Sequence, residues 1–250
     1  MFDNEHSALK GALKDTVGPE KSRDSRHFSG DMHVVSYGAA FQAAEDGVSS
    51  ASAMFDAARG RGVLADGNGS MLAARSIARG FLRALGRNKP EQLITSYDAT
   101  EAVRKAAMNA DVVLGKTKAA LGESYSDLAA SFSGFQLLYQ GRMAISHSGD
   151  TSVFVFDPDG LCRQATHRND NQLAGAASRR GAQAAGSYGQ NTVVDLKPGR
   201  NVVIIASNAA VADRTAWGVG DLVGELKLDP DNPDNGAIIA AHIMDNGDKG

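Results

Sequence analysis

The chain has 250 residues, with 26 Lys+Arg against 29 Asp+Glu and a formal net charge of −3. That length allows one domain, or two at most, and a core that stands without cross-links; 42% apolar and 22% charged residues are ordinary for a soluble domain. The near-neutral balance argues against a basic nucleic-acid binder and a polybasic membrane-surface protein, no apolar run approaches the ~20 residues of a membrane helix, and the single Cys162 excludes an internal disulfide framework and a multi-cysteine zinc site.

Residues 1–10 are polar and lack a signal-peptide core. The expected setting is therefore cytoplasmic, with no nucleic-acid and no membrane partner. Residues 1–30 read as a flexible, solvated tail, and the domain is taken as 31–250. Residues 33–37 and 62–65 are short strands, the second running into the turn Asp66-Gly67-Asn68-Gly69. A helix follows, with Ser70 as N-cap and Gly86 as stop; Leu72, Ala73, Ile77, Phe81, Leu82 and Leu85 make its apolar face, with Arg75, Arg79 and Arg83 on another. A second helix is expected over 98–121.

After Gly122 the period becomes two. Residues 128–132, 135–139, 143–146 and 152–156 read as consecutive strands, punctuated at Ser133-Gly134, Gln140-Gly141-Arg142 and Ser148-Gly149-Asp150. That pattern is an antiparallel meander, and it places Asp150 at a hairpin tip. Residues 169–190, rich in Gly, Ala, Ser and Arg, read as a mobile loop or flap. Residues 202–206 are a buried strand; 221–226 and 235–244 read as helical, with His242 at the surface of the last helix. Helices together with a long antiparallel run imply an α+β fold. Two packed antiparallel sheets flanked by helices, an α-β-β-α sandwich, satisfy both patterns.

Acidic groups at strand ends are the informative ones. Glu45-Asp46 lies between apolar segments, Asp66-Gly67 and Asp150 lie at turns, and Asn208 follows Ser207 after the strand at 202–206. Such ends can converge at one edge of a sandwich. Carboxylates and a backbone carbonyl are hard oxygen donors, suited to Mg²⁺ or Mn²⁺. On spacing alone, acidic turn residues can equally be ordinary turns. His147 reads as a partly exposed sheet residue, on the opposite face from Asp150. Cys162 reads as a small packing residue.

The order of these pieces resembles the metal-dependent protein phosphatases, the protein phosphatase 2C or PPM family. The resemblance runs from Val34 to Gly250. Ala44-Glu45-Asp46 matches the family's Asn-Glu-Asp. Val63-Leu64-Ala65-Asp66-Gly67-Asn68-Gly69 matches its Asp-Gly-(Met or His)-Gly-Gly. Ile145 to Val153 matches its Val-Gly-Asp-Ser-Arg hairpin, and Lys197 to Asn208 its Gly-Asp-…-Ser-Asp-Gly strand. The resemblance implies one or two Mg²⁺ or Mn²⁺ ions and hydrolysis of phosphoserine or phosphothreonine by a metal-activated water. It implies no catalytic residue beyond the metal centre: Glu45, Asp66 and the Gly67 carbonyl as ligands, Asp46 in support, Asp150 at an auxiliary position and Asn208 at a ligand position.

Departures accompany the matches. Phe41 stands where the family has a phosphate-gripping Arg, Asn208 where it has Asp, Ala209 where it has Gly and Asn68 where it has His or Met. Its C-terminal Asp-Asn-(Ile/Val)-Thr strand has no counterpart in this reading, which leaves the domain without a last strand. Three readings stay open: an active phosphatase on a phosphoprotein substrate, an inactive pseudophosphatase binding a regulatory protein partner, and a domain alike in architecture only.

Overall fold

The computed structural model describes residues 32–41, 50–67, 70–88, 93–167, 172–175, 189–207 and 237–245. Its strands make two antiparallel sheets. In spatial order, the first holds β1 (Met32–Phe41), β10 (Ala237–Asp245), β9 (Asn201–Ala206), β6 (Ser152–Phe156) and β7 (Cys162–Gln164). The second holds β2 (Ala51–Asp56), β3 (Arg61–Asp66), β4 (Ser131–Leu137), β5 (Arg142–Ser148) and β8 (Gln190–Asp195). Helices α1 (Met71–Leu85) and α2 (Ser96–Leu121) pack on the second sheet, α1 over β2 and β3, α2 over β5 and β8. This is the expected pair of packed antiparallel sheets with helices.

Period-two alternation sorts the side chains into two cores. Phe135 and Leu137 of β4 point between the sheets, where they meet Met143, Ile145, Val153, Ile205 and Ile239. Phe132 points the other way, to Ile77, Phe81, Val103 and Leu114 under the helices. Both helices are well started. Ser70 accepts from the Ala73 N–H, and Thr95 and Asp98 form a reciprocal capping box.

Four expectations need correction. Residues 131–137 are one strand, β4, where two strands at 128–132 and 135–139 broken at Ser133-Gly134 were expected. Gly134 is no turn: a Cβ there would lie 2.3 Å from the Phe81 ring, so glycine lets α1 press onto the sheet. β5 and β6 are not a hairpin in one sheet; the chain crosses between sheets at Ser148-Gly149-Asp150. Residues 237–245 form strand β10 rather than a helix, paired with both β1 and β9, so a closing strand is present. Its Ala- and Ile-rich run fits either period, and burial between two neighbours decides it. β2 and β8 were not legible, their Ala, Ser and Asn content giving weak strand patterns. The helix expected at 221–226 lies outside the described residues, as does the tail at 1–30.

Candidate metal-binding end of the sandwich

Asp66 closes β3 at one end of the second sheet. The Ser50 hydroxyl donates to its Oδ1 at 2.8 Å, and the Gly67 N–H donates to the Ser50 carbonyl at 3.1 Å. The Ser70 N–H donates to the Gly67 carbonyl at 2.9 Å, which tightens the turn into α1. A Cβ on Gly67 would stand 1.8 Å from the Ser70 carbonyl oxygen, so only glycine fits. Across the ladder Asp66 faces Ser131. The Ser131 Oγ accepts from the Asp150 N–H at 3.3 Å. Gly149, at φ +94°, leaves no room for a Cβ, which would meet that same Oγ at 2.2 Å. Ser131 thus links Asp66 and Asp150 across the sheet end.

The Asp150 Oδ1 is buried with no hydrogen-bond partner among the described residues. A buried carboxylate oxygen left this way is costly unless something else satisfies it. The donor types at this sheet end, the Asp66 and Asp150 carboxylates and the Gly67 carbonyl, which keeps a second lone pair beside its bond from Ser70, fit a divalent cation.

The first sheet presents its strand ends here too. Ser152 pairs with Ala206, Ala206 with Ile238, and Phe41 with Ala237. Ser207 and Ala237 exchange hydrogen bonds at 2.9 Å and 2.8 Å. Asn208 follows this clasp in sequence, and Glu45 and Asp46 lie in the link from β1 to Ser50; all three fall outside the described residues. Among the described residues no group of three or more His, Cys, Asp or Glu could hold a metal ion. Of the expected site residues, Asp66, Gly67 and Asp150 are among the described ones.

His147 is fully buried rather than partly exposed. Its Nδ1 lies 3.0 Å from the Ser133 hydroxyl and 3.2 Å from that of Thr151, and its Nε2 lies 2.9 Å from the His167 carbonyl. The carbonyl only accepts, so Nε2 carries the hydrogen and Nδ1 receives a hydroxyl hydrogen. Burial pushes its pKa down to about 4, against the His167 carbonyl and Asp150, which favour the proton. The neutral ring therefore ties β4, β5 and the start of β6 together just behind Asp150. Regular-strand parity hid this, because the crossing at Gly149 brings Thr151 back onto His147.

The flap expected over 169–190 is described only in part. Residues 172–175 are docked: Leu173 exchanges backbone hydrogen bonds with Ala130 at 3.0 Å, and Lys118 donates to the Ala174 carbonyl at 2.9 Å. Gln190 belongs to β8. His242 is buried on β10, with Arg200 2.6 Å from its Nδ1, and is no surface helix residue. Burial pushes the Cys162 thiol up to about 11, away from nucleophilic thiolate.

No family model and no curated relative matches the chain. Solved structures do. The catalytic domain of the serine/threonine protein phosphatase PstP, in complex with two manganese ions, shares 15% identity at a TM-score of 0.62, covering 86% of this chain and all of that one. The Mycobacterium tuberculosis serine/threonine phosphatase PstP/Ppp shares 16% at 0.61, covering 83% and 98%. MsPP from Mycobacterium smegmatis, a PPM Ser-Thr phosphatase in complex with cacodylate, shares 17% at 0.52, covering 84% and 98%. The chain has the PPM phosphatase fold. Within that fold β10 is the closing strand, and the dipeptide before it was overlooked. Asp234-Asn235-Gly236-Ala237-Ile238-Ile239 carries the Asp-Asn signal sought at the chain end. Asp234 lies outside the described residues, three positions before Ala237 in sequence. Ser50 and Ser131, which position Asp66 and Asp150, had no sequence signal beyond their place at strand starts.

Among the described residues no helix is long and apolar enough to cross a membrane.

Proposed function

We propose that this PPM-fold protein is a divalent-cation-dependent phosphatase acting on phosphoserine or phosphothreonine in proteins, in the cytoplasm. The observation that carries the reading is the buried, unpartnered Asp150 oxygen, linked through Ser131 to Asp66 and to a Gly67 turn that tolerates no side chain. Glu45, Asp66 and the Gly67 carbonyl would hold Mg²⁺ or Mn²⁺, with Asp46 in support, Asp150 at an auxiliary position and Asp234 and Asn208 completing the set. A bound ion supplies an activated water and neutralises phosphoryl oxygens. Ser50 holds Asp66 in one orientation, and the neutral His147 cluster fixes the turn that presents Asp150. With Asp234 counted, one of the two missing negative charges is restored; Asn208 leaves one site charge fewer than the family pattern, which weakens any second ion.

A second reading is supported by Phe41 and Asn208: a pseudophosphatase that keeps the ion and a regulatory protein partner without turnover. Hydrolysis of a phosphothreonine peptide with Mn²⁺ or with EDTA separates the two. The phosphatase reading expects Mn²⁺-dependent turnover that Asp66→Ala abolishes. A folded protein that binds Mn²⁺ calorimetrically but releases no phosphate overturns it in favour of the second.

A further inference from the structure

Helix α1, MLAARSIARGFLRAL, carries three arginines and no acidic residue. Arg75, Arg79 and Arg83 follow one another at four-residue spacing, and Arg87 continues the line past Gly86, which keeps helical backbone angles of −61° and −15°. All four are exposed. At the helical rise they stand about 6 Å apart over about 18 Å. Met71 heads the same line, and it and Leu72 are each 40% exposed. None of the four arginines makes an ion pair or side-chain hydrogen bond among the described residues.

A merely solvated face is usually built differently. On α2, Glu101 sits 2.7 Å from Arg104 and 3.4 Å from Lys105, alternating sign at helical spacing. Like charges four apart disfavour a helix. The chain has more acids than bases, yet it places none on α1. The inner face of α1 is complete without the arginines, through Ala73, Ile77, Phe81 and Leu85. Beside the β2–β3 turn, by contrast, Arg59 and Arg61 both pair with Asp56.

We propose that this face of α1 is a docking surface for an acidic segment of a partner protein, bound extended. Alternate side chains of an extended strand repeat at about 6.7 Å, close to the arginine spacing, and each guanidinium can take a carboxylate with two parallel hydrogen bonds. A short segment suits the patch better than nucleic acid or a membrane. The net charge of −3 opposes a long polyanion over the rest of the surface, and the exposed apolar area on this face is confined to Met71 and Leu72. The segment would leave the patch at Met71, one turn from Asp66 and Gly67. Docking does not depend on turnover at that site.

The test is fluorescence anisotropy of the full chain with a labelled peptide of alternating Glu and Ser, alongside a single-stranded oligonucleotide and phosphatidylserine vesicles. Wild type is expected to bind the peptide, more weakly as salt rises. Arg75→Gln/Arg79→Gln/Arg83→Gln should weaken it by about tenfold, while Lys105→Gln/Lys116→Gln on α2 leaves it unchanged. Because glutamine is a good helix former, the triple variant should keep its melting temperature, measured on the same sample. Three results each overturn the proposal: no peptide binding by wild type at low salt, equal weakening by the two variants, or arginine-dependent binding that is tighter to the oligonucleotide or the vesicles.

Discussion

At the closed end of the β2–β3 ladder Asp56 lies opposite Arg61; at the open end Asp66 lies opposite Ala51, with Asp150 beyond Ser131. At the closed end one carboxylate oxygen, Asp56 Oδ2, takes three guanidinium hydrogen bonds. Arg61 reaches Asp56 at 2.6 Å and 3.1 Å, and Arg59 at 3.1 Å. Burial works against the charge, yet the two guanidiniums hold the Asp56 carboxyl below its ordinary value. At the open end a neutral hydroxyl donates to Asp66, and the Asp150 Oδ1 has no hydrogen-bond partner among the described residues. The same side chain therefore serves at one end of this strand pair as a structural ion pair and at the other as a carboxylate held by a hydroxyl. A buried carboxylate oxygen such as Asp150 Oδ1 at a rigid sheet end suits a cation; one already taken by two guanidiniums does not.

Removing Arg61 should have the largest effect on this contrast. Arg61→Met leaves Asp56 partly buried without its main partner, and stability should fall by about 3 kcal/mol, the low end for a broken buried pair because Asp56 is a quarter exposed. Urea unfolding at neutral pH measures it, and a loss under 1 kcal/mol would mean that the pair is not structural.

Next comes acidification, acting through His147. Its folded pKa of about 4 lies below the ordinary 6.5, so the unfolded chain binds the proton first. Stability should be intact above pH 6.5 and decline as the pH falls toward 4, by at most about 3 kcal/mol from this residue. His147→Gln should flatten that part of the pH–stability curve; an unchanged slope would refute the buried neutral ring.

The smallest effect sharpens the comparison most, since two identical substitutions should differ in sign. Asp56→Asn should destabilise by about 1–2 kcal/mol. Asp150→Asn, measured in EDTA, should be neutral or stabilising by less than about 1 kcal/mol, because the buried Oδ1 makes no hydrogen bond among the described residues that the change could break. A clear loss of stability at Asp150 in EDTA would show that the site is structural.

Much of this contrast was legible before any coordinates. Ser70 and Gly86 bracket α1, and Gln140-Gly141 turns β4 into β5 with φ of 61° and 62°. Asp66-Gly67 and Asp150 stood out as acids at strand ends. The misreadings share one cause. Gly134 looked like a turn, residues 235–244 like a helix and His147 like a partly exposed strand residue because each depends on a partner distant in sequence: Phe81, β1 with β9, and Ser133 with His167. Asp234 went unnoticed because the strand that follows it reads locally as a helix.

By itself, then, the sequence determined the ends of α1, the Gln140-Gly141 turn and the acidic residues at strand ends, all set by interactions within a few positions along the chain, and its alternating periods pointed to the two-sheet class. Only tertiary structure decided which sheet each strand joined, that the chain closes with β10, and that Ser50 and Ser131 hold Asp66 and Asp150 at one end. Those outcomes depend on burial and pairing between segments far apart in the chain, and a period of two or of 3.6 carries no record of its partner.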